Sequence, residues 1–150
     1  MTVTEAKDIT GLTMIAESWR EECNSGEFGL DTNMIDFLAE LDEMIHDEYS
    51  TLIVMKRDGK PVGLMGMVIN KSPFGRNWIA NEHFWYVLPE HRGVSSIRMI
   101  EFAFRWAKQK GCSHVMMNAS YLASDLHDKV CEIYEKFGMK KFESVYLVEV

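Results

Sequence analysis

Apolar residues recur along the chain with two different periods, and the switches between them outline the elements. Leu12, Ile15 and Trp19 fall on one face of a helix over about Thr10–Glu22. Asn24-Ser25-Gly26-Glu27-Phe28-Gly29 interrupts that pattern as a loop. Met34, Phe37, Leu38, Leu41 and Ile45 then line one stripe of a second helix, Asn33–His46. Two apolar runs follow, Thr51–Arg57 and Pro61–Ile69, joined by Asp58-Gly59-Lys60. Asp-Gly between such runs predicts a hairpin. After a loop over Asn70–Arg76, a third strand extends from about Trp78 to Leu88. Pro89 ends it, because proline lacks the amide that the ladder needs.

The helical period returns over Val94–Lys110, where Ile97, Ile100, Phe104 and Ala107 share a face and Gly111 supplies a left-handed cap. His114–Ala119 reads as a short apolar strand. A last helix, Leu126–Phe137, takes Asp125 as its N-cap and Asp128 in its first turn. Leu126, Val130, Ile133 and Phe137 form its buried stripe, with Tyr134 at the stripe's edge, and Gly138 ends it. The tail Lys140–Val150 alternates as a terminal strand or a bent pair. With a short strand before the first helix, the order is β-α-α-β-β-β-α-β-α-β. That order predicts a mixed α/β (α+β) fold with a mostly antiparallel sheet and four helices.

Composition narrows the setting. The 150 residues are 47% hydrophobic and 26% charged, which suits one domain over residues 1–150 with a real core. No run approaches the ~20 apolar residues that span a bilayer, and Met1–Ala6 lacks the features of a signal peptide. A cytoplasmic protein, away from membranes, is expected. Cys23, Cys112 and Cys131 are odd in number and widely spaced, which fits a reducing compartment. No histidines or cysteines have metal-ligand spacing, so no metal is expected. The net charge of −7 disfavours general nucleic-acid binding and suits a cationic partner.

The segment His91-Arg92-Gly93-Val94-Ser95-Ser96 carries the first chemical signal. A strand end, a tight turn at Gly93 and a long helix together present unpaired amides and the positive end of a helix dipole. Arg92 can add charge, and Ser95 and Ser96 can donate hydroxyls. The same residues also describe an ordinary helix start capped by Ser95 or Ser96.

Tyr86-Val87-Leu88-Pro89-Glu90-His91-Arg92-Gly93 resembles the V-x-P-x-x-R-G lead-in of the GNAT superfamily, the GCN5-related N-acetyltransferases. About forty residues on, Tyr134-Glu135-Lys136-Phe137-Gly138-Met139 resembles that family's Y-E-K-x-G-F segment. The element order agrees over nearly the whole chain. Ser95 and Ile97 stand where the family's phosphate loop has small residues, and short members encoded in phage genomes are similar here.

The resemblance implies acetyl-CoA as acyl donor, direct attack by a primary amine in a ternary complex, and no metal. It implies that edge amides near Val87 and Leu88 hold the pantetheine arm while Arg92, Gly93, Val94, Ser95 and Ser96 hold the diphosphate. Tyr134 takes the place of the phenol that protonates the leaving thiolate, and on bland grounds it is also a core tyrosine. His127 replaces a cofactor-contacting asparagine and doubles as a surface histidine; Asn118 faces the cleft or caps its strand. Glu82 is the choice of base, through a water, against a solvated strand residue; His83 points to the opposite face. Glu21, Glu22, Glu27 and Asp31 make the Ser25–Asp31 region acidic, which suits a lysine side chain, a polyamine or an aminoglycoside. Oligomeric state is left open, a homodimer included. The rival reading is a non-catalytic acyl-CoA-binding or protein-interaction module on the same fold.

Overall fold

The computed structural model describes all residues, Met1–Val150. Five strands form one sheet in the order of the chain: β1 (Thr2–Glu5), β2 (Ser50–Arg57), β3 (Lys60–Lys71), β4 (Trp78–Val87) and β5 (His114–Met116). All neighbouring pairs are antiparallel except β4 and β5, which run parallel. Four helices pack against it: α1 (Thr13–Glu22), α2 (Met34–His46), α3 (Ile97–Gln109) and α4 (His127–Lys136). The mixed, mostly antiparallel fold expected from the pattern is the one observed.

Local chemistry explains the well-placed elements. Asp58 (φ 51°) and Gly59 (φ 77°) both take the left-handed conformation of a tight hairpin turn, which fixes the β2–β3 register. Asn33 caps α2, its side-chain oxygen accepting the amides of Ile35 and Asp36. Asp125, expected to cap α4, does not: its carboxylate accepts from Asn24 Nδ2 at 3.0 Å, and the N-cap position falls on Leu126 without a side-chain bond. α3 begins at Ile97, after a single 3-10 turn over Val94–Ser96.

The core has two faces. Trp19 of α1 stacks on Tyr86 and packs against Phe84 and Phe37, which places α1 and α2 over one side of β4. On the other side Tyr134 of α4 stacks on Trp85, and Met99 of α3 meets Val87 at Gly63. Tyr134, expected at the edge of the buried stripe of α4, is the helix's one buried residue.

β5 pairs with β4 only over His114–Met116, because beyond it Asn118 turns its amide and side chain onto Glu82. The tail is a second departure. Lys140–Val150 forms neither a strand nor a bent pair, and none of its backbone groups bonds to another backbone group. Gly138 (φ 80°) turns the chain out of α4, and the tail runs toward the α1–α2 loop, where the Glu149 carboxylate lies against Gly29. The outer edge of β5 stays open.

Candidate active site

Two features of the sequence converge at the end of β4. The first is the turn into α3. Gly93 adopts φ 138°, a conformation that disfavours any side chain, and a Cβ there would meet nothing within 4 Å. The amides of Gly93, Val94 and Ser95 donate to no group of the protein. Three N–H groups without a partner in the protein, ahead of a thirteen-residue helix, suit phosphate oxygens. Ser95 is half-buried and Val94 exposed.

The neighbouring residues are differently employed than expected. The Ser96 hydroxyl donates to the Gly93 carbonyl at 2.6 Å and so braces the turn. The Arg92 guanidinium donates from Nε to the Val87 carbonyl at 2.8 Å and from Nη1 and Nη2 to the two oxygens of Glu22 at 2.9 and 2.5 Å. Its charge is spent on α1. The Arg92 charge and the Tyr86 hydroxyl in turn hold Glu22 below the usual carboxylate range.

The second feature is the gap between β4 and β5. The Leu88 amide donates to Val62 on β3, so in the alternating antiparallel ladder Val87 and Trp85 direct their backbone groups to the opposite edge, toward the gap. Of the two predicted edge amides, Val87 therefore faces the gap and Leu88 does not. The Trp85 indole N–H is buried and has no partner in the protein.

A bulge sets the orientation of Glu82. Gly66 pairs with Phe84 and Met67 with Glu82, leaving His83 as the extra residue. Gly66 and Met67 are consecutive and face opposite ways, so Phe84 and Glu82 do too. Simple alternation puts Glu82 beside Phe84; the bulge turns it to the α4 side. There its Oε2 accepts the Asn118 amide at 2.8 Å and lies 3.3 Å from the Tyr134 hydroxyl. The Tyr134 hydroxyl also lies 3.1 Å from the Asn118 carbonyl. Burial raises Glu82 from 4.5 to about 7, against the downward pull of its two hydrogen bonds. Burial and then the Glu82 charge push the Tyr134 phenol well above the usual tyrosine range.

The structure thus brings the buried Glu82 and Tyr134 together with the exposed Asn118 in one hydrogen-bonded cluster. His127 stands apart from it, stacked on Tyr121 at 4.1 Å and bonded through Nδ1 to Asp128 at 2.9 Å. His83 is exposed.

A cavity of about 350 Å³ opens between α1, the Ser25–Asn33 loop and the start of α2. Trp19, Arg20, Asp31, Asp36, Phe37 and Leu122 are among the residues that line it, and the Trp19 indole N–H is buried without a partner. Asp31 carries the acidity expected of this loop; Glu22, tied to Arg92, does not line the cavity. Sequence reasoning assigned no site role to Ser18 or Asp36, nor to Glu22 as an arginine partner. Nothing in the sequence ties Glu22 on α1 to Arg92, 70 positions on.

Comparison with known proteins agrees with this geometry. No curated protein sequence matches the chain significantly. Among solved structures, a transcriptional regulator from Bacillus halodurans C-125 superposes with TM-score 0.80 at 16% identity, covering 99% of each chain. The ribosomal-protein-alanine N-acetyltransferase of Brucella melitensis biovar Abortus 2308 gives TM-score 0.71 at 14% identity, over 99% of this chain and 98% of that one. Aminoglycoside N-acetyltransferase AAC(6')-Iy in complex with CoA gives 0.68 at 18% identity, over 99% and 98%. At these identities the likeness establishes the fold. The sequence profile of the Acetyltransferase (GNAT) family matches residues 13–139, and the chain belongs to that family.

Proposed function

We propose that the protein transfers an acetyl group from acetyl-CoA to a primary amine by direct attack in a ternary complex. The observation that carries this reading is the set of free amides at Gly93, Val94 and Ser95, open to a diphosphate at the positive end of α3. Acetyl-CoA, when bound, supplies the thioester acetyl group. The backbone edge at Val87 and Trp85, with the unpartnered Trp85 indole, would hold the pantetheine arm.

The chain's own part in the chemistry is a proton held at a stated atom. Tyr134 keeps its hydroxyl proton because burial and Glu82 both oppose the phenolate. As the amine nitrogen bonds to the acetyl carbon and the carbon–sulfur bond breaks, that proton passes to the sulfur, and the nitrogen releases its own proton to solvent. Glu82 is buried and touches Tyr134 rather than the cleft, so it acts through Tyr134: near neutrality its carboxyl can return a proton to the phenolate across 3.3 Å. Asn118 holds both in place.

The acceptor enters the cavity beside α1. Asp31 and Asp36 outnumber the one cation at its wall, Arg20, and so favour a cationic group, and Trp19 and Phe37 offer apolar walls. A lysine side chain, a polyamine or an aminoglycoside meets those demands; two of the similar structures are enzymes named for aminoglycoside and ribosomal-protein acetylation.

Thiol release from acetyl-CoA across an amine panel tests the reading. One observation favours the second reading, a non-catalytic acyl-CoA-binding or protein-interaction module: Arg92 and Ser96 are both engaged within the protein instead of facing a phosphate. That module would show an acetyl-CoA-dependent rise in melting temperature with no thiol release.

A further inference from the structure

α4 carries a second constellation that the proposed amine chemistry leaves unused. His127, Cys131 and Tyr134 are spaced i, i+4 and i+7, so they share one stripe of the helix. The Cys131 sulfur lies 3.9 Å from each of the two ring nitrogens of His127. Nδ1 of that ring is bonded to the Asp128 carboxylate at 2.9 Å. A carboxylate only accepts, so Nδ1 carries the proton and Nε2 is left to take one from the thiol. Tyr121 completes the support: its ring stacks on the imidazole at 4.1 Å and 11°, and its hydroxyl lies 3.4 Å from Asp128. Thiol, base and orienting carboxylate thus stand in the relation of an activated nucleophile.

The other two thiols lack this setting, although all three cysteines are half-buried. Cys23 donates to the Arg20 carbonyl at 3.4 Å and lies 3.5 Å from the Ser25 hydroxyl. Burial alone pushes the Cys112 thiol up. Location adds to the contrast. The stripe ends at Tyr134, whose ring stacks on Trp85 beside the β4–β5 gap, about 4.5 Å along the helix axis from Cys131. After burial and Glu82, the charge of Cys131 also helps to push the Tyr134 phenol up, so thiol and phenol lie within electrostatic reach.

We infer that Cys131 accepts the acetyl group of acetyl-CoA by thioester exchange, with His127 as its base. The inference rests on the reading that acetyl-CoA binds at the end of β4. The thiol proton moves to His127 Nε2, and the Cys131 sulfur bonds to the acetyl carbon as the carbon–sulfur bond to CoA breaks. The CoA sulfur then takes the proton from His127. The products are S-acetyl-Cys131 and free CoA. No oxidant is needed. One thioester replaces another, so the ratio of acetyl-CoA to CoA sets the occupancy.

Two measurements test it, with thermal melts to check that each variant folds. The first needs no cofactor: iodoacetamide alkylation is timed at the three cysteines by peptide mass mapping. Cys131 should react about tenfold or more faster than Cys23 and Cys112, and His127→Gln should remove that advantage. In the second, the chain is incubated with acetyl-CoA and no amine, and the melting temperature of the same sample records binding. One hydroxylamine-labile acetyl group should appear on Cys131, be reversed by excess CoA, form about tenfold or more slower in His127→Gln, and be absent from Cys131→Ser. A melting temperature raised by acetyl-CoA with no acetyl group on Cys131 overturns the inference and leaves cofactor binding standing. No rise and no acetyl group overturn both. Equal alkylation of the three thiols, or S-acetylation indifferent to His127→Gln, overturns the assignment of His127 as base and with it the activated nucleophile.

Discussion

Glu22 at the end of α1 and Arg92 before the Gly93 turn form a two-pronged ion pair that ties α1 to the turn into α3. The Tyr86 hydroxyl donates to Glu22 at 2.8 Å and lies 2.9 Å from Ser18, and the guanidinium sits 5.3 Å from the Tyr86 ring. Arg92 is thereby a positioning residue. It holds the Val87 carbonyl and the approach to Gly93; on the proposed reading the phosphate falls to backbone amides.

This arrangement predicts coupled substitutions. Glu22→Ala and Arg92→Ala should each weaken acetyl-CoA binding by a similar, modest factor of about ten or less, and the double variant should be little worse than either. Each should also lower stability by about 1–2 kcal/mol, since the pair is only partly shielded from water. Calorimetric titration with acetyl-CoA checks the cycle. A large loss with Arg92→Ala and none with Glu22→Ala would make Arg92 a direct phosphate ligand.

Removing the Tyr134 hydroxyl separates chemistry from binding. Tyr134→Phe keeps the ring against Trp85 and removes the proton donor. Turnover should fall about 10²–10³-fold while acetyl-CoA affinity stays within a factor of about three. Full turnover by this variant would exclude the general-acid role.

Glu82 imposes a pH dependence on stability whose sign is fixed by its buried state. Its carboxyl binds a proton more tightly folded than unfolded, about 7 against 4.5. Its contribution is therefore complete below pH 4.5 and is lost as pH rises through about 7. The stability of the parent chain minus that of Glu82→Gln should fall by about 3 kcal/mol across that window. Chemical denaturation of both proteins from pH 4.5 to 8 measures it; a constant difference would contradict the buried assignment.

Gly66 underlies the bulge that aims Glu82. A Cβ at this position would lie 2.6 Å from the Phe84 ring and 2.8 Å from the Met44 methyl. Gly66→Ala should cost about 1–3 kcal/mol by overpacking and should lower turnover more than acetyl-CoA affinity, because the bulge and Glu82 move with Phe84. Thermal melts and the thiol-release assay report the two effects separately.

Periodicity made most of this fold legible. The helical stripes from Leu12 and Met34, the Asp58-Gly59 hairpin and the stop at Pro89 each follow from local chemistry, and each element sits within a few residues of its expected bounds. The Gly93 turn and Tyr134 were legible through motif spacing. What escaped were relationships set by long-range packing. The bulge at His83 breaks the simple alternation along β4 and turns Glu82 into the interior against Tyr134. The α1–Arg92 ion pair joins residues that no local pattern relates. The tail alternates like a strand, but a strand needs an edge to pair with, and the partner of an edge is not written in one segment.

The central claim is acetyl transfer at the end of β4, and the most direct measurement pairs thiol release from acetyl-CoA with mass detection on a panel of lysine peptides, polyamines and aminoglycosides. The account predicts amine-dependent thiol release, one added acetyl group on at least one cationic amine, and loss of both in Tyr134→Phe. Binding of acetyl-CoA with no acetylated amine anywhere in the panel would contradict it.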